Sequence, residues 1–114
     1  MPTTYKRMRM RLSELKAMRD RGVFYSLAET FQALGDSSRI QIVWALSKGE
    51  QSVSELARKL EMSQPAVSHH LRTLRNLKLV RIRRSGRTSI YTLDDYHIDH
   101  LLAEGIRHVE DQLK

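Results

Sequence analysis

Apolar residues recur at helical spacing over most of this chain and at alternate positions over one short stretch. Met8, Leu12, Leu15 and Met18 step by three and four, which predicts a short amphipathic helix within residues 5–21, ended by Gly22. Tyr25 to Leu34 predicts a second helix, stopped by Gly35. Asp36 is placed to cap a third, running through Leu46. Its apolar residues Ile40, Val43, Trp44 and Leu46 spread around much of the axis, which marks it as the buried centre. A core role suits Trp44 better than a ligand platform.

Ser52-Val53-Ser54-Glu55 has the form of a capping box, in which a serine oxygen and a glutamate satisfy each other's first-turn N–H groups. It opens a short helix to about Leu60. Glu61-Met62 makes a tight turn, and Ser63 caps the next helix, with Pro65 in the first turn where its missing N–H costs little. That helix runs to about Leu77. Two short helices joined so briefly form a helix-turn-helix. From Leu79 to Arg84 apolar and basic residues alternate. Ser85-Gly86 makes a tight turn, and Arg87 to Leu93 returns through the β-formers Thr88, Ile90, Tyr91 and Thr92. Asp94 or Asp95 caps a last helix that extends nearly to Lys114. The expected fold is mostly α with a small β-hairpin: a winged helix-turn-helix.

Charge sharpens this picture. The chain has 114 residues, enough for one core, and a net charge of +7. Residues 1–21 carry net +5 and residues 58–87 net +8, whereas residues 22–57 and 88–114 carry net −2 and −4. A basic block over the helix-turn-helix and hairpin suits a polyanion. There is no cysteine, which excludes disulfides, thiolate metal sites and cysteine nucleophiles. No apolar run reaches membrane-spanning length and no signal-peptide pattern occurs, so the cytoplasm is the expected compartment.

On the helix from Ser63, Val67, Leu71 and Leu74 share one face and must point to the core. The opposite side presents Gln64, Ser68, His69, Arg72 and Thr73, residue types that read base edges and hold phosphates in a major groove. Gln64 suits adenine; Arg72 suits guanine or phosphate. In the hairpin, Arg81, Arg83, Arg84 and Arg87 flank the tip, placed for backbone phosphate or the minor groove. The expected partner is double-stranded DNA.

The run from Ser54 to Val80, with Ser63-Gln-Pro-Ala-Val-Ser-His-His-Leu71 at its centre, resembles the ArsR/SmtB family of metal-responsive repressors. Ala33-Leu-Gly-Asp-Ser-Ser-Arg-Ile40 looks like the approach to that family's second helix, and the resemblance covers roughly residues 25–111. It implies a homodimer with flanking helices at the interface, an inverted-repeat operator, and repression relieved by an inducer, often a metal ion. Residues 1–22 then form a basic N-terminal arm or helix, and residues 23–114 the winged domain with a C-terminal dimerisation and sensor helix. One departure stands out. Thiol-sensing members carry Cys-Val-Cys where this chain has Ser52-Val53-Ser54, so soft ions lose their best ligands at that place.

The last helix offers other donors. His97 and His108 are eleven positions apart, so they share a face, about 20° off after three turns, yet lie roughly 16 Å apart along the axis. One helix cannot bring both to one ion; two antiparallel copies can, giving two equivalent sites per dimer. His108 and Asp111 are neighbours at i, i+3, and Asp95 can turn back beside His97 at the helix start. Asp95, His97, His108 and Asp111 would close a tetrahedral site of two imidazoles and two carboxylates, suited to Zn(II), with Co(II) as a substitute. The spacing looks like the paired-terminal-helix zinc site of the SmtB-like branch. Glu110 is a substitute for the shorter Asp111, and His100 and Glu104 lie on the same side, where they could enlarge the site for Ni(II) or Co(II). Ile98, Leu101, Leu102, Ile106 and Val109 make an adjoining stripe expected to pack the dimer, with Gly105 allowing close backbone approach.

Other readings stay open: a repressor of this family that senses a non-metal signal or none, a non-specific nucleoid or RNA binder, and a zinc hydrolase. An enzyme needs an open coordination position, a general base and a pocket. The quartet is saturated and no separate base is present, so no catalytic residues are expected.

Overall fold

Among the described residues, four helices begin where the sequence supplies a side-chain oxygen for the first unpaired N–H groups. The computed structural model of the chain describes residues 11–14 and 21–114. Its elements run α1 (Arg21–Leu34), α2 (Ser37–Leu46), β1 (Gln51–Ser52), α3 (Val53–Leu60), α4 (Gln64–Asn76), β2 (Val80–Ser85), β3 (Thr88–Leu93) and α5 (Tyr96–Leu113). Asp36 caps α2 by accepting from the Arg39 N–H, Ser63 caps α4 through the Ala66 N–H, and Asp95 caps α5 through the His97 N–H. At α3 both halves of the expected capping box form: Ser52 Oγ accepts from Glu55 N at 3.2 Å and Glu55 Oε1 accepts from Ser52 N at 2.9 Å.

The chain divides into two compact units, Met1–Phe31 and Gln32–Lys114. In the first, α1 starts at Arg21, four residues before the expected Tyr25, and Gly22 lies inside it. Gly22 therefore does not act as a stop; a glycine in a helix costs only about 1 kcal/mol. The side chains of Val23, Phe24, Leu27 and Phe31 are about half exposed, and Tyr25 more so. Met8, Leu15 and Met18 of the expected earlier helix, and most of the basic arm, lie outside the described residues.

In the second unit, Ile42, Val43, Leu56, Val67, Leu71 and Leu74 are fully buried and join Leu34, Leu46, Leu79 and Val80 in one core. Each such side chain contributes roughly 1.5–3 kcal/mol on burial. Ile42 proves more central than Ile40 and Trp44, which pack half-buried on its edge. Trp44 serves as a core-edge residue with the Lys48 ammonium 3.8 Å from its ring centre. Glu61 ends α3 in the left-handed conformation at φ 55°, and the Met62 N–H closes back on Ala57. This is the sharp turn that lets α4 cross α3.

The hairpin pairs Val80 with Leu93 through Ser85 with Thr88. Its two loop residues are therefore Gly86 and Arg87, one place later than expected, with Gly86 at φ 62° where a tight hairpin turn requires a positive angle. A third strand, β1, pairs Gln51 with Tyr91 and Ser52 with Ile90, giving the order β1-β3-β2. No sequence signal marks it, because two residues show no periodicity. The expected dimer stripe of α5 divides. Ile98 and Leu102 turn into the core of their own chain, while Leu101 and Val109 remain exposed. A Cβ added at Gly105 would meet nothing within 4 Å among the described residues, and an apolar groove opens there between Ile40, Leu102, Ile106 and Val109.

Candidate nucleic-acid interface and metal centre

The burial of Val67, Leu71 and Leu74 orients α4 as the sequence requires, leaving the opposite side outward. Gln64, Ser68, His69 and Arg72 are exposed, and Thr73 is half-buried with its hydroxyl donating back to the His69 carbonyl at 3.4 Å. Thr73 is thus partly engaged within the helix, whereas the other four are available to a ligand. His70 takes a different place from its neighbour. It is half-buried, and its Nδ1 is shielded from solvent with no hydrogen-bond partner among the described residues.

The wing arginines are not equivalent. Arg81 Nη1 lies 3.8 Å from Asp94 Oδ1. Arg83 makes a two-pronged pair with Glu50, Nε donating to Oε2 at 3.1 Å and Nη2 to Oε1 at 2.5 Å. Glu50 is held below the usual carboxylate range, first by that hydrogen bond and then by the guanidinium charge. Arg84 Nη1 donates to Ser89 Oγ at 3.2 Å. Arg87 sits exposed in the turn. The four arginines are evident in the sequence, whereas Glu50 and Asp94 as the partners of Arg83 and Arg81 are not. These pairs depend on strand register, and a glutamate beside Gly49 gives no local sign of it.

At the start of α5, Asp95 and His97 come together as expected. Asp95 Oδ1 accepts from the His97 backbone N–H at 2.8 Å and lies 2.7 Å from Nδ1 of the same residue. These bonds, the backbone one first, lower the Asp95 carboxyl below its usual value. The His97 ring stacks on Tyr96 at 4.4 Å between centroids. His108 and Asp111 lie exposed near the other end of the helix, with Asp111 Oδ1 3.4 Å from Lys114 Nζ. Glu104 pairs with Arg107 at 3.3 Å, and His100 meets the edge of the Tyr96 ring. Among the described residues, no group of three or more His, Asp or Glu side chains is assembled that could hold a metal ion. Asp95 and His97 thus stand together at one end of α5, and His108 and Asp111 lie near the other without an observed contact between them; none of the four is a thiol. Two imidazoles and two carboxylates are donor types that a borderline ion such as Zn(II) accepts, but a single copy of α5 does not gather the four.

No helix among the described residues is long and apolar enough to cross a membrane. Residues 36–81 match the model of the arsR family of bacterial regulatory proteins. The regulator NmtR of Mycobacterium tuberculosis is 48% identical over 84 residues, 74% of this chain and 70% of its own length. The SmtB homologue of Synechocystis sp., named a transcriptional repressor, is 42% identical over 75% of this chain and 64% of its own length. The chain therefore spans slightly less than two thirds of that repressor. Among solved structures, the homodimeric winged helix-turn-helix DNA-binding domain from Mycobacterium bovis superposes with a TM-score of 0.76. It is 26% identical, over 83% of this chain and 88% of that one. The helix-turn-helix of α3 and α4, the β2–β3 wing and these similarities agree, and the chain belongs to the ArsR family of bacterial regulatory proteins.

Proposed function

We propose that this chain is a homodimeric transcriptional repressor that binds an inverted-repeat DNA operator and leaves it when Zn(II) binds at two sites between subunits. The observation that carries the DNA reading is the outward face of α4. Gln64, Ser68, His69 and Arg72 stand exposed opposite three fully buried leucine and valine side chains, beside a basic hairpin. That is the arrangement of a recognition helix with a phosphate-contacting wing. Thr73 borders the same face, and Arg84 and Arg87 add positive charge at the hairpin tip. Dimerisation draws support from exposed apolar residues, Phe24, Leu27 and Phe31 on α1 and Leu101 and Val109 on α5, and from the homodimeric state of the M. bovis neighbour.

Asp95 and His97 of one subunit, with His108 and Asp111 of its partner, would hold the ion. Bound zinc would supply a four-coordinate link between the paired helices, and Co(II) or Ni(II) could take its place. Each chain contributes both halves, so binding fixes the angle between subunits, and that angle sets the spacing of the two recognition helices. By linkage, metal weakens DNA binding by the same factor as DNA weakens metal binding. A coupling of a few kcal/mol is enough to switch occupancy.

A second reading keeps the repressor and removes the metal. It is favoured by the fact that Asp95 already serves as a helix cap and Asp111 already pairs with Lys114. One titration separates the two. The protein is titrated, at fixed salt, against a duplex selected from a random-sequence pool, with and without stoichiometric zinc. The zinc reading expects binding to weaken at least tenfold and EDTA to restore it. Tight binding indifferent to zinc leaves a repressor with another signal. Equal affinity for all sequences overturns both.

A further inference from the structure

Strand register sorts the charges of the wing onto two faces. Directly opposed residues share a face, so Ser52, Ile90 and Arg83 lie on one side and Gln51, Tyr91 and Ile82 on the other. Alternation adds Arg81 and Thr92 to the first side, and Val80 and Leu93 to the second. The second side is the inner one, since Val80 is buried and Tyr91 and Leu93 pack against the core. The outer side carries Arg81 and Arg83, and each has a carboxylate beside it. Asp94 follows β3 and lies near Arg81. Glu50, in the turn before β1, reaches across the middle strand to Arg83. Two cations are thus balanced by two anions on this face. Arg84 and Arg87, at the tip, have no carboxylate partner among the described residues.

We infer that the wing meets DNA through its tip, Arg84 and Arg87, and that Glu50 is a positioning residue that clasps Arg83 and pins the hairpin to the turn between α2 and β1. The DNA half of this inference rests on the function proposed above. The fork of Arg83 is occupied by both Glu50 oxygens, a geometry with directional strength. Moving Arg83 to a phosphate would leave the Glu50 carboxylate bare beside a polyanion. An exposed pair of this kind adds little to stability, but it supplies orientation. A two-stranded hairpin is marginal on its own, and β1 pairs only two residues with β3 and none with β2. The clasp is a direct link from the β1 segment to β2, the outermost strand that carries the basic residues.

The test measures affinity and its salt dependence for the selected duplex, using Arg83→Gln, Glu50→Gln, Arg84→Gln, Arg87→Gln and the reversed pair Glu50→Arg with Arg83→Glu. Each tip substitution is expected to lower the slope of log affinity against log salt by about 0.9, one phosphate contact. Arg83→Gln is expected to weaken binding by about threefold, the scale of one exposed pair, with the slope kept. The reversed pair is expected to recover that loss. A slope lowered by about 0.9 in Arg83→Gln, with no recovery in the reversed pair, makes Arg83 a phosphate contact and overturns the clasp. Should the unaltered protein bind no duplex, the repressor reading fails and amide hydrogen exchange decides the clasp alone. Faster exchange across β2 and β3 in both single variants, restored by the reversed pair, supports it; unchanged exchange in the single variants overturns it.

Discussion

Asp95 Oδ1 holds His97 twice, at 2.8 Å through the backbone N–H and at 2.7 Å through Nδ1 of the ring. With the carboxylate ionised, the 2.7 Å contact requires Nδ1 to be the donor to Asp95. One aspartate therefore starts α5 and sets the orientation of the imidazole next to it.

Substitution can divide these two tasks. Asparagine caps a helix as well as aspartate does, so Asp95→Asn should leave stability within about 0.5 kcal/mol, whereas Asp95→Ala should cost about 1 kcal/mol. Both should lower zinc affinity by about tenfold or more through loss of the carboxylate that orients or joins His97. Urea unfolding and a competitive zinc titration check the two effects separately. Retention of zinc affinity in both variants would remove Asp95 from the metal centre.

Ser52 occupies a more demanding position. It is 5% exposed, caps α3 and pairs with Ile90 in the sheet. Ser52→Ala should destabilise the chain by about 1–2 kcal/mol, at the upper end for a cap because the Glu55 N–H is left without its acceptor in a largely dry setting. Glu55→Gln should cost less, since an amide oxygen can still accept from the Ser52 N–H. Urea midpoints at constant slope give both values.

Arg72 is exposed on α4 with no carboxylate partner among the described residues. If it reads a base, Arg72→Ala should weaken the selected duplex by about 1–3 kcal/mol and relax preference at one position. If it holds a phosphate, the loss should be the same for all sequences and the salt slope should fall by about 0.9. Binding to a panel of single-base variants of the duplex separates the two.

Acid should destabilise the fold. Asp36, Glu50, Glu55 and Asp95 all sit below their ordinary values of 3.8 or 4.5. Backbone N–H groups are the main cause for Asp36, Glu55 and Asp95, and Arg83 for Glu50. A carboxyl lowered on folding binds fewer protons in the native state, so its contribution is complete above the ordinary value. That contribution is lost as pH falls through the lowered one. The urea midpoint should hold steady from neutrality down to about pH 5 and then drop, and Glu55→Gln should flatten part of that drop. A midpoint insensitive to pH below 4.5 would contradict the capping geometry.

Helix starts were legible in the sequence because a cap is a local event. Asp36, Ser52, Ser63 and Asp95 each act on an N–H two or three residues away. The α4 faces were legible for the same reason, since a spacing of three or four residues fixes which side chains share a side. The hairpin was legible in outline, but its turn moved by one place, because Ser85 can either pair or turn and the ladder to Thr88 decides. Gly22 misled, because a single glycine costs a helix only about 1 kcal/mol and so does not by itself end one.

Features that depend on near neighbours in the chain could therefore be read from the residues alone: the helix-turn-helix, the basic wing, the Asp95–His97 pair and the absence of thiol ligands. The remainder came from long-range packing. It placed β1 against β3, turned Ile98 and Leu102 inward while leaving Leu101 and Val109 out, and set Glu50 against Arg83 across 33 positions of sequence. Those outcomes depend on which distant surfaces meet. An ion pair or a two-residue strand carries too little free energy of its own to leave a pattern in the chain, so it exists only where the packed core brings its two sides together.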